Sequence, residues 1–224
     1  MGVIEAVELY RFYHSGDAEV IGLRGVNLSL SEGELVALLG PSGSGKSTFL
    51  NLLAGLDEPD GGHVDVQGIR LSRRSETVRA AIRARHIGMY MQSGNLFDHL
   101  SVVENIRLQR RLAGKTSDDE SIMNLVNRLG LATHWNALPA ELSGGEAARA
   151  GLAVALSAEP SILLCDEPTA EVDAETERQI ISDLDERRRA GTAILIATHS
   201  PVLASAADRV LKLQDGRLVR EPGK

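Results

Sequence analysis

Residues 40–47 read Gly-Pro-Ser-Gly-Ser-Gly-Lys-Ser, which satisfies the pattern Gly-x4-Gly-Lys-Ser/Thr at every specified position. The chemistry open to such a stretch is phosphate binding. Within Gly40, Pro41, Ser42, Gly43, Ser44 and Gly45 the glycines let successive backbone N–H groups turn toward one point, and a helix starting behind them adds its partial positive charge. Lys46 supplies a mobile full charge, and Ser47, with Thr48 beside it, offers a hydroxyl to a Mg2+ ion riding on the phosphates. The bland alternative is a glycine-rich turn next to a lysine. Context favours the cradle: residues 35–39 are a continuous apolar run suited to a strand buried on both faces, and residues 48–55 have the leucine and alanine content of a helix.

A second reactive group closes another apolar run. Residues 162–167 read Ile-Leu-Leu-Cys-Asp-Glu, which puts Asp166 and Glu167 at the carboxyl end of a buried strand, where parallel sheets bind their ligands. Asp166 would hold Mg2+, directly or through water, and Glu167 would orient and deprotonate an attacking water. In isolation the pair reads equally well as two solvated acids; beside a phosphate loop it reads as catalytic. Leu142, Ser143, Gly144, Gly145 and Glu146 precede the small-residue run 147–158 and form a second helix start able to meet an anion. Ser143 is also an ordinary N-cap residue. If that helix tip lies on a separate lobe, it cannot easily reach phosphates held by Gly45 and Lys46 of the same subunit.

An α/β core is required to position these groups. Strands are expected at 4–12, 25–30 and 35–39, and a half-exposed one at 63–66 follows the turn formers of 57–62, giving the early chain an antiparallel β portion. Helical spacing from 101 to 137 marks an inserted helical lobe. Core strands return at 162–166 and 192–197, a charged helix lies between them at about 174–189, and Asp215-Gly216 signals a terminal hairpin. The expected organisation is a single domain over 1–224, with the core and β portion at about 1–92 and 158–224 and the lobe at about 93–157.

Composition narrows the classes of function. The 224 residues are 43% hydrophobic, enough for a proper interior, and the net charge of −7 disfavours a nucleic-acid partner. No apolar run approaches the roughly 20 residues of a membrane span, and the start of the chain lacks a signal-peptide pattern, so a cytoplasmic location is expected. Cys165 is the one cysteine and reads as a small buried hydrophobe, while the six histidines include no i, i+4 pair suggestive of structural zinc. Arg70, Arg73, Arg74, Arg79, Arg83 and Arg85 read as a solvated helix face, with anionic lipid headgroups as the alternative.

Taken together these residues resemble the nucleotide-binding subunit of ATP-binding cassette (ABC) transporters over essentially the whole chain. The phosphate loop, Gln92 after Ile87-Gly88-Met89-Tyr90-Met91, the 142–146 signature, the Asp166-Glu167 pair and His199 occur in the family's order. The resemblance implies a P-loop NTPase core of ABC type with an antiparallel β portion and an inserted helical lobe. It implies ATP and Mg2+ as cofactors, with Lys46, Gln92, Glu167 and His199 catalytic and Ser47, Gln92 and Asp166 around the metal. Asp173 resembles the family's D-loop aspartate, and Tyr13 the aromatic that stacks on adenine, with Tyr10 and Phe12 as close alternatives. Two copies would face each other head to tail, each ATP lying between one phosphate loop and Ser143, Gly144 and Gly145 of the other copy. The homodimer would drive an integral membrane permease, received by the loop after Gln92, from the inner face of the cell membrane.

Three departures from the family's pattern stand out. Glu146 occupies a place where glutamine is commonest, Ala147, Ala148 and Val154 replace polar residues usual after the signature, and Glu171 replaces a small or amide residue. Residues 92–105 and the 13–17 region are similar to the lipoprotein-release and macrolide-export branch, whose members export or act by mechanical transmission. The alternative of a different class is an ATP-dependent regulatory clamp that signals to a cell-wall or sensor protein without transport. A DNA-maintenance ATPase of the same superfamily is disfavoured, because the chain has no long coiled-coil insertion and no zinc-binding cysteines.

Overall fold

The computed structural model describes residues 2–15, 18–116, 118–170 and 172–219, so the expectations placed on Gly16, Asp17 and Glu171 lie outside the described residues. The chain begins with a long antiparallel hairpin, β1 (Ile4–Ser15) and β2 (Ala18–Leu30). Strands expected at 4–12 and 25–30 are too short at their inner ends. Gly22, Arg24 and Gly25 interrupt the apolar alternation, but register shifts absorb the interruptions, and pairing runs on through Phe12 with Ile21 and Tyr13 with Val20. With β4 (Gly61–Val66) and β5 (Ile69–Arg70) this hairpin forms an antiparallel sheet in the order β2-β1-β4-β5.

The second sheet positions most of the candidate site residues. It contains β3 (Leu35–Leu39), β6 (Ile87–Tyr90), β7 (Ile162–Asp166), β8 (Ala193–Ala197), β9 (Arg209–Gln214) and β10 (Arg217–Val219), in the order β10-β9-β3-β8-β7-β6. All neighbours are parallel except the terminal hairpin, whose turn at Asp215 and Gly216 has positive φ at both residues. The apolar runs read as doubly covered strands are so: β8 is buried at every residue.

Alternation along β7 divides the interior. Ile162 and Leu164 face a core built on α1 (Lys46–Leu53), whose Phe49, Leu52 and Leu53 pack between the two sheets against Ile4, Leu9 and Leu23. Leu163 and Cys165 face a second core shared with α3 (Val102–Leu112), α4 (Asp119–Arg128) and α5 (Gly144–Leu156), all of which lie between β6 and β7 in the chain. Burial pushes the Cys165 thiol well above its usual range, consistent with a packing role.

The arginine stretch is not simply a solvated face. On α2 (Glu76–His86) the Arg79 guanidinium pairs with Glu58 at 2.8 Å and Glu76 at 2.7 Å, while Arg83 donates to the carbonyls of Ala54 and Gly55 beyond the end of α1. Those carbonyls are left over where a helix ends, which is the reason a cation settles there.

α6 (Ala174–Arg189) begins with Asp173, whose carboxylate accepts the N–H groups of Glu175 and Thr176 and is held below the usual carboxylate range, the Thr176 N–H contributing most. Further along it, burial raises Asp183 to about 6, and its Oδ2 is buried without a hydrogen-bond partner. A raised folded-state value makes this group's contribution to stability complete below its unfolded value and lost as pH climbs through 6. Asp183→Asn is therefore expected to raise stability by about 1 kcal/mol near pH 7.5, after discounting for partial exposure, and by nothing measurable below about pH 4. Thermal melts at both pH values check this, and a shift of equal size at both would contradict it.

Candidate active site

Strand order assembles the site. β3, β8, β7 and β6 are consecutive neighbours, so the residues that follow them line one edge of the sheet: Gly40 to Lys46, then Thr198 and His199, then Asp166 and Glu167, then Gln92. They surround a cleft of about 620 Å³ lined by Ser42, Gly43, Gly45, Lys46, Ser47 and Thr48 on one side and Gln92, Asp166, Glu167, Thr198 and His199 on the other.

The phosphate loop is shaped by close approaches. Gly45 is the N-cap of α1 at φ 104, and a Cβ placed there would stand 2.5 Å from the carbonyl oxygen of Gly22 on β2. Gly40 lies as close to Leu213, where a Cβ would meet the carbonyl oxygen. Lys46 is 8% exposed, and its Nζ donates to the Gly40 carbonyl at 2.7 Å and lies 3.3 Å from the Pro41 carbonyl and from His199 Nε2. Carbonyl groups therefore hold the ammonium at the mouth of the loop. Ser44 Oγ is buried without a hydrogen-bond partner among the described residues, a polar atom facing inward at the base of the loop.

Glu167 occupies a left-handed backbone conformation, φ 51, outside the region usual for a glutamate. Its N–H extends the sheet ladder to the Ala197 carbonyl at 2.9 Å, which holds the backbone in place. Its Oε2 accepts the His199 N–H at 3.1 Å, while Oε1 stands 3.3 Å from His199 Nε2 and is buried without a hydrogen-bond partner. Glu167 lines the cleft, and a carboxylate oxygen without a committed donor is what a base needs. Ser47, Gln92 and Asp166 offer hydroxyl, amide and carboxylate oxygens in the same cleft, a donor set that fits a hard cation sharing phosphate oxygens.

Tyr13 lies at the far end of this cleft, its hydroxyl 3.3 Å from Thr48 Oγ1. Tyr10 and Phe12 stack on one another instead, with ring centroids 6.3 Å apart, and neither lines the cleft. The signature is elsewhere. Gly144 lines a second cleft of about 320 Å³ together with Gln92 and Glu167, and Ser143 and Gly145 line neither this cleft nor the first. Ser143 instead caps α5 in a reciprocal box: its N–H and hydroxyl donate to Glu146 Oε2 at 2.8 and 2.7 Å, and these bonds hold Glu146 below the usual carboxylate range. Within one subunit, then, the structure brings together the loop, Asp166, Glu167, His199, Gln92 and Tyr13, and leaves Ser143, Gly145 and Asp173 outside the phosphate cleft at helix starts, with Ser143 and Asp173 exposed and Gly145 half-buried.

Two supporting residues escaped the sequence reading. Asn105 is 3% exposed, accepts the Phe97 N–H and donates to the carbonyls of Leu100 and Ser101, fixing the chain that follows Gln92. Glu177 on α6 accepts the Ser200 hydroxyl at 2.6 Å and so anchors the residue next to His199. A buried asparagine in an otherwise amphipathic helix was a usable signal for the first; nothing local marks the second.

Fold and site together define an ATP-binding cassette. The family profile described as ABC transporter matches residues 23–170, and the chain belongs to that family. It is 38% identical over 222 residues to the lipoprotein-releasing system ATP-binding protein LolD of Zymomonas mobilis, covering 98% of this chain and 96% of that one. It is 36% identical to the macrolide export ATP-binding/permease protein MacB of Syntrophobacter fumaroxidans, covering all of this chain but 32% of that protein. Among solved structures, the dimeric bacterial ABC transporter cassette MJ0796 superposes with a TM-score of 0.92 at 32% identity over 97% of each chain. Its post-hydrolysis dimer bound to ADP and Pi matches equally well. This chain is the ATP-binding and ATP-hydrolysing subunit of an ABC transporter. No helix among the described residues is long and apolar enough to cross a membrane.

Proposed function

We propose that two copies of this chain close around two Mg-ATP and drive an integral membrane permease of the lipoprotein-release and macrolide-export type from the inner face of the cell membrane. The observation that carries this reading is the division of the site: the phosphate cleft is complete on one side, while Ser143 and Gly145 stand outside it on an exposed helix start. A second copy in head-to-tail orientation supplies the missing donors, as the dimeric form of the similar cassette MJ0796 supports.

In this reading Lys46 and the loop N–H groups bind the β- and γ-phosphates, and Ser47, Asp166 and Gln92 hold the ion. Mg2+, when bound, neutralises phosphate charge and fixes phosphate geometry. Glu167 takes the proton of the attacking water, and His199, whose Nε2 already lies between Lys46 and Glu167, meets the γ-phosphate. Tyr13 stacks on adenine. Ser143, Gly144 and Gly145 meet the γ-phosphate across the seam, and Asp173 at the head of α6 lies beside it. Loss of the γ-phosphate removes the shared contacts and releases the dimer, and the permease feels this through the loop after Gln92.

Subunit mixing tests the shared site. Lys46→Ala and Ser143→Ala proteins are each expected to be inactive, whereas an equal mixture assembles heterodimers with one intact site and recovers about a quarter of wild-type ATPase activity if pairing is random. Activity no greater than the sum of the separate variants would place Ser143 outside the partner's site.

A further inference from the structure

We propose that Arg11 is a positioning residue that sets the Tyr13 ring at a fixed place relative to the phosphate loop, and so determines how much of nucleotide affinity comes from the base. The inference rests on the reading of Tyr13 as the adenine platform.

Its guanidinium lies against the Tyr13 ring, 4.8 Å from the centroid. The same group reaches into the turn after α1: Nε donates to Asp57 Oδ2 at 2.8 Å and Nη1 to Asp60 Oδ2 at 3.1 Å. Asp60 Oδ2 also accepts the Phe12 N–H at 2.7 Å, which ties down the backbone between Arg11 and Tyr13. The Tyr13 hydroxyl reaches Asp57 Oδ2 at 3.4 Å and Thr48 Oγ1 in the first turn of α1 at 3.3 Å. Gly22 confines the ring from another side, since a Cβ there would stand 2.9 Å from Tyr13 Cε2.

The result is a closed chain of contacts from the ring, through Arg11, to the helix that the phosphate loop caps. A lone half-exposed ion pair would be worth little, but here a planar fork serves two carboxylates while its carbon stands over an aromatic ring, a combination that suits arginine better than lysine. Arg11 does not line the phosphate cleft itself, so it acts through Tyr13. Fixing a stacking ring before the base arrives removes an ordering cost from binding.

Calorimetry with ADP and with inorganic pyrophosphate separates the base from the phosphates and avoids hydrolysis. Arg11→Ala is expected to weaken ADP about tenfold, as base–aromatic stacking is lost, while changing pyrophosphate affinity less than about twofold. Tyr13→Ala should give the same selective loss. Equal weakening of both probes, or no weakening of ADP, overturns the positioning role. If Arg11→Ala fails to fold, Arg11→Lys keeps the charge without the flat fork and is expected to show a smaller loss confined to ADP; no such loss overturns the role equally. A selective effect for Tyr13→Ala alone leaves the platform reading standing and removes Arg11 from it. Tyr13→Ala without an ADP-selective loss defeats the platform reading itself.

Discussion

Glu167→Gln protein is expected to bind ATP, remain locked as a dimer and hydrolyse ATP about 10²–10⁴-fold more slowly than the wild type. Glutamine has the same shape and can still accept the His199 N–H that Oε2 now takes at 3.1 Å, so the left-handed turn at φ 51 and its ladder bond to Ala197 should survive. What glutamine cannot do is receive a proton. The unpartnered, buried Oε1 is the atom that loses its use. Size-exclusion chromatography with Mg-ATP and a phosphate-release assay provide the two readouts. Hydrolysis within tenfold of wild type would remove Glu167 as the base, and slow hydrolysis without a nucleotide-dependent dimer would count against the sandwich.

The second large effect is expected at Gly45→Ala. Two separate penalties meet there: φ is 104, a conformation that side chains rarely adopt, and the new Cβ would stand 2.5 Å from the Gly22 carbonyl oxygen, which belongs to backbone and cannot swing away. Either the loop or the β2 strand must shift. Losing one or two of the aligned N–H contacts to charged phosphate oxygens costs about 100-fold in affinity for ADP or ATP. The strain itself, about 1–3 kcal/mol, lowers the melting temperature by about 2–12 °C in a chain of this length. Gly43→Ala is the internal comparison. Its φ of 78 is also left-handed, yet a Cβ there meets nothing within 4 Å, so backbone strain acts without the clash and the loss of affinity should be clearly smaller. Equal effects at the two glycines would show that packing against Gly22 does not shape the loop.

Much of this site was legible locally because its parts are local. The phosphate loop needs glycines, a lysine and a hydroxyl in consecutive positions, and α1 starts at Lys46 directly behind them. The acid pair announces itself because a buried strand of continuous apolar residues tolerates carboxylates only at its end, and β7 does end at Asp166, the first of the two. The charged helix expected at about 174–189 has those bounds in the structure, with Asp173 as its cap and three arginines in its last turn. The first hairpin was misjudged for the opposite reason. Gly22 and Gly25 look like interruptions until the partner strand is in view: a Cβ at Gly22 would crowd the Tyr13 ring, and one at Gly25 would crowd the Tyr10 hydroxyl and the Glu8 carboxylate.

The sequence by itself determined the local elements that carry the candidate residues: strand ends, helix starts and a phosphate loop follow from apolar runs, caps and glycines a few residues apart, where local sterics and hydrogen bonding dominate. Only the tertiary structure decided which of them meet. The order β3-β8-β7-β6 brings His199 within 3.3 Å of Lys46 across 153 residues of chain, and no local propensity encodes which parallel strands become neighbours. Strand order also keeps Ser143 outside the phosphate cleft, because α5 packs on the opposite face of the large sheet from α1. That choice is made by which apolar faces can be buried together, a property of the whole interior and of no single segment.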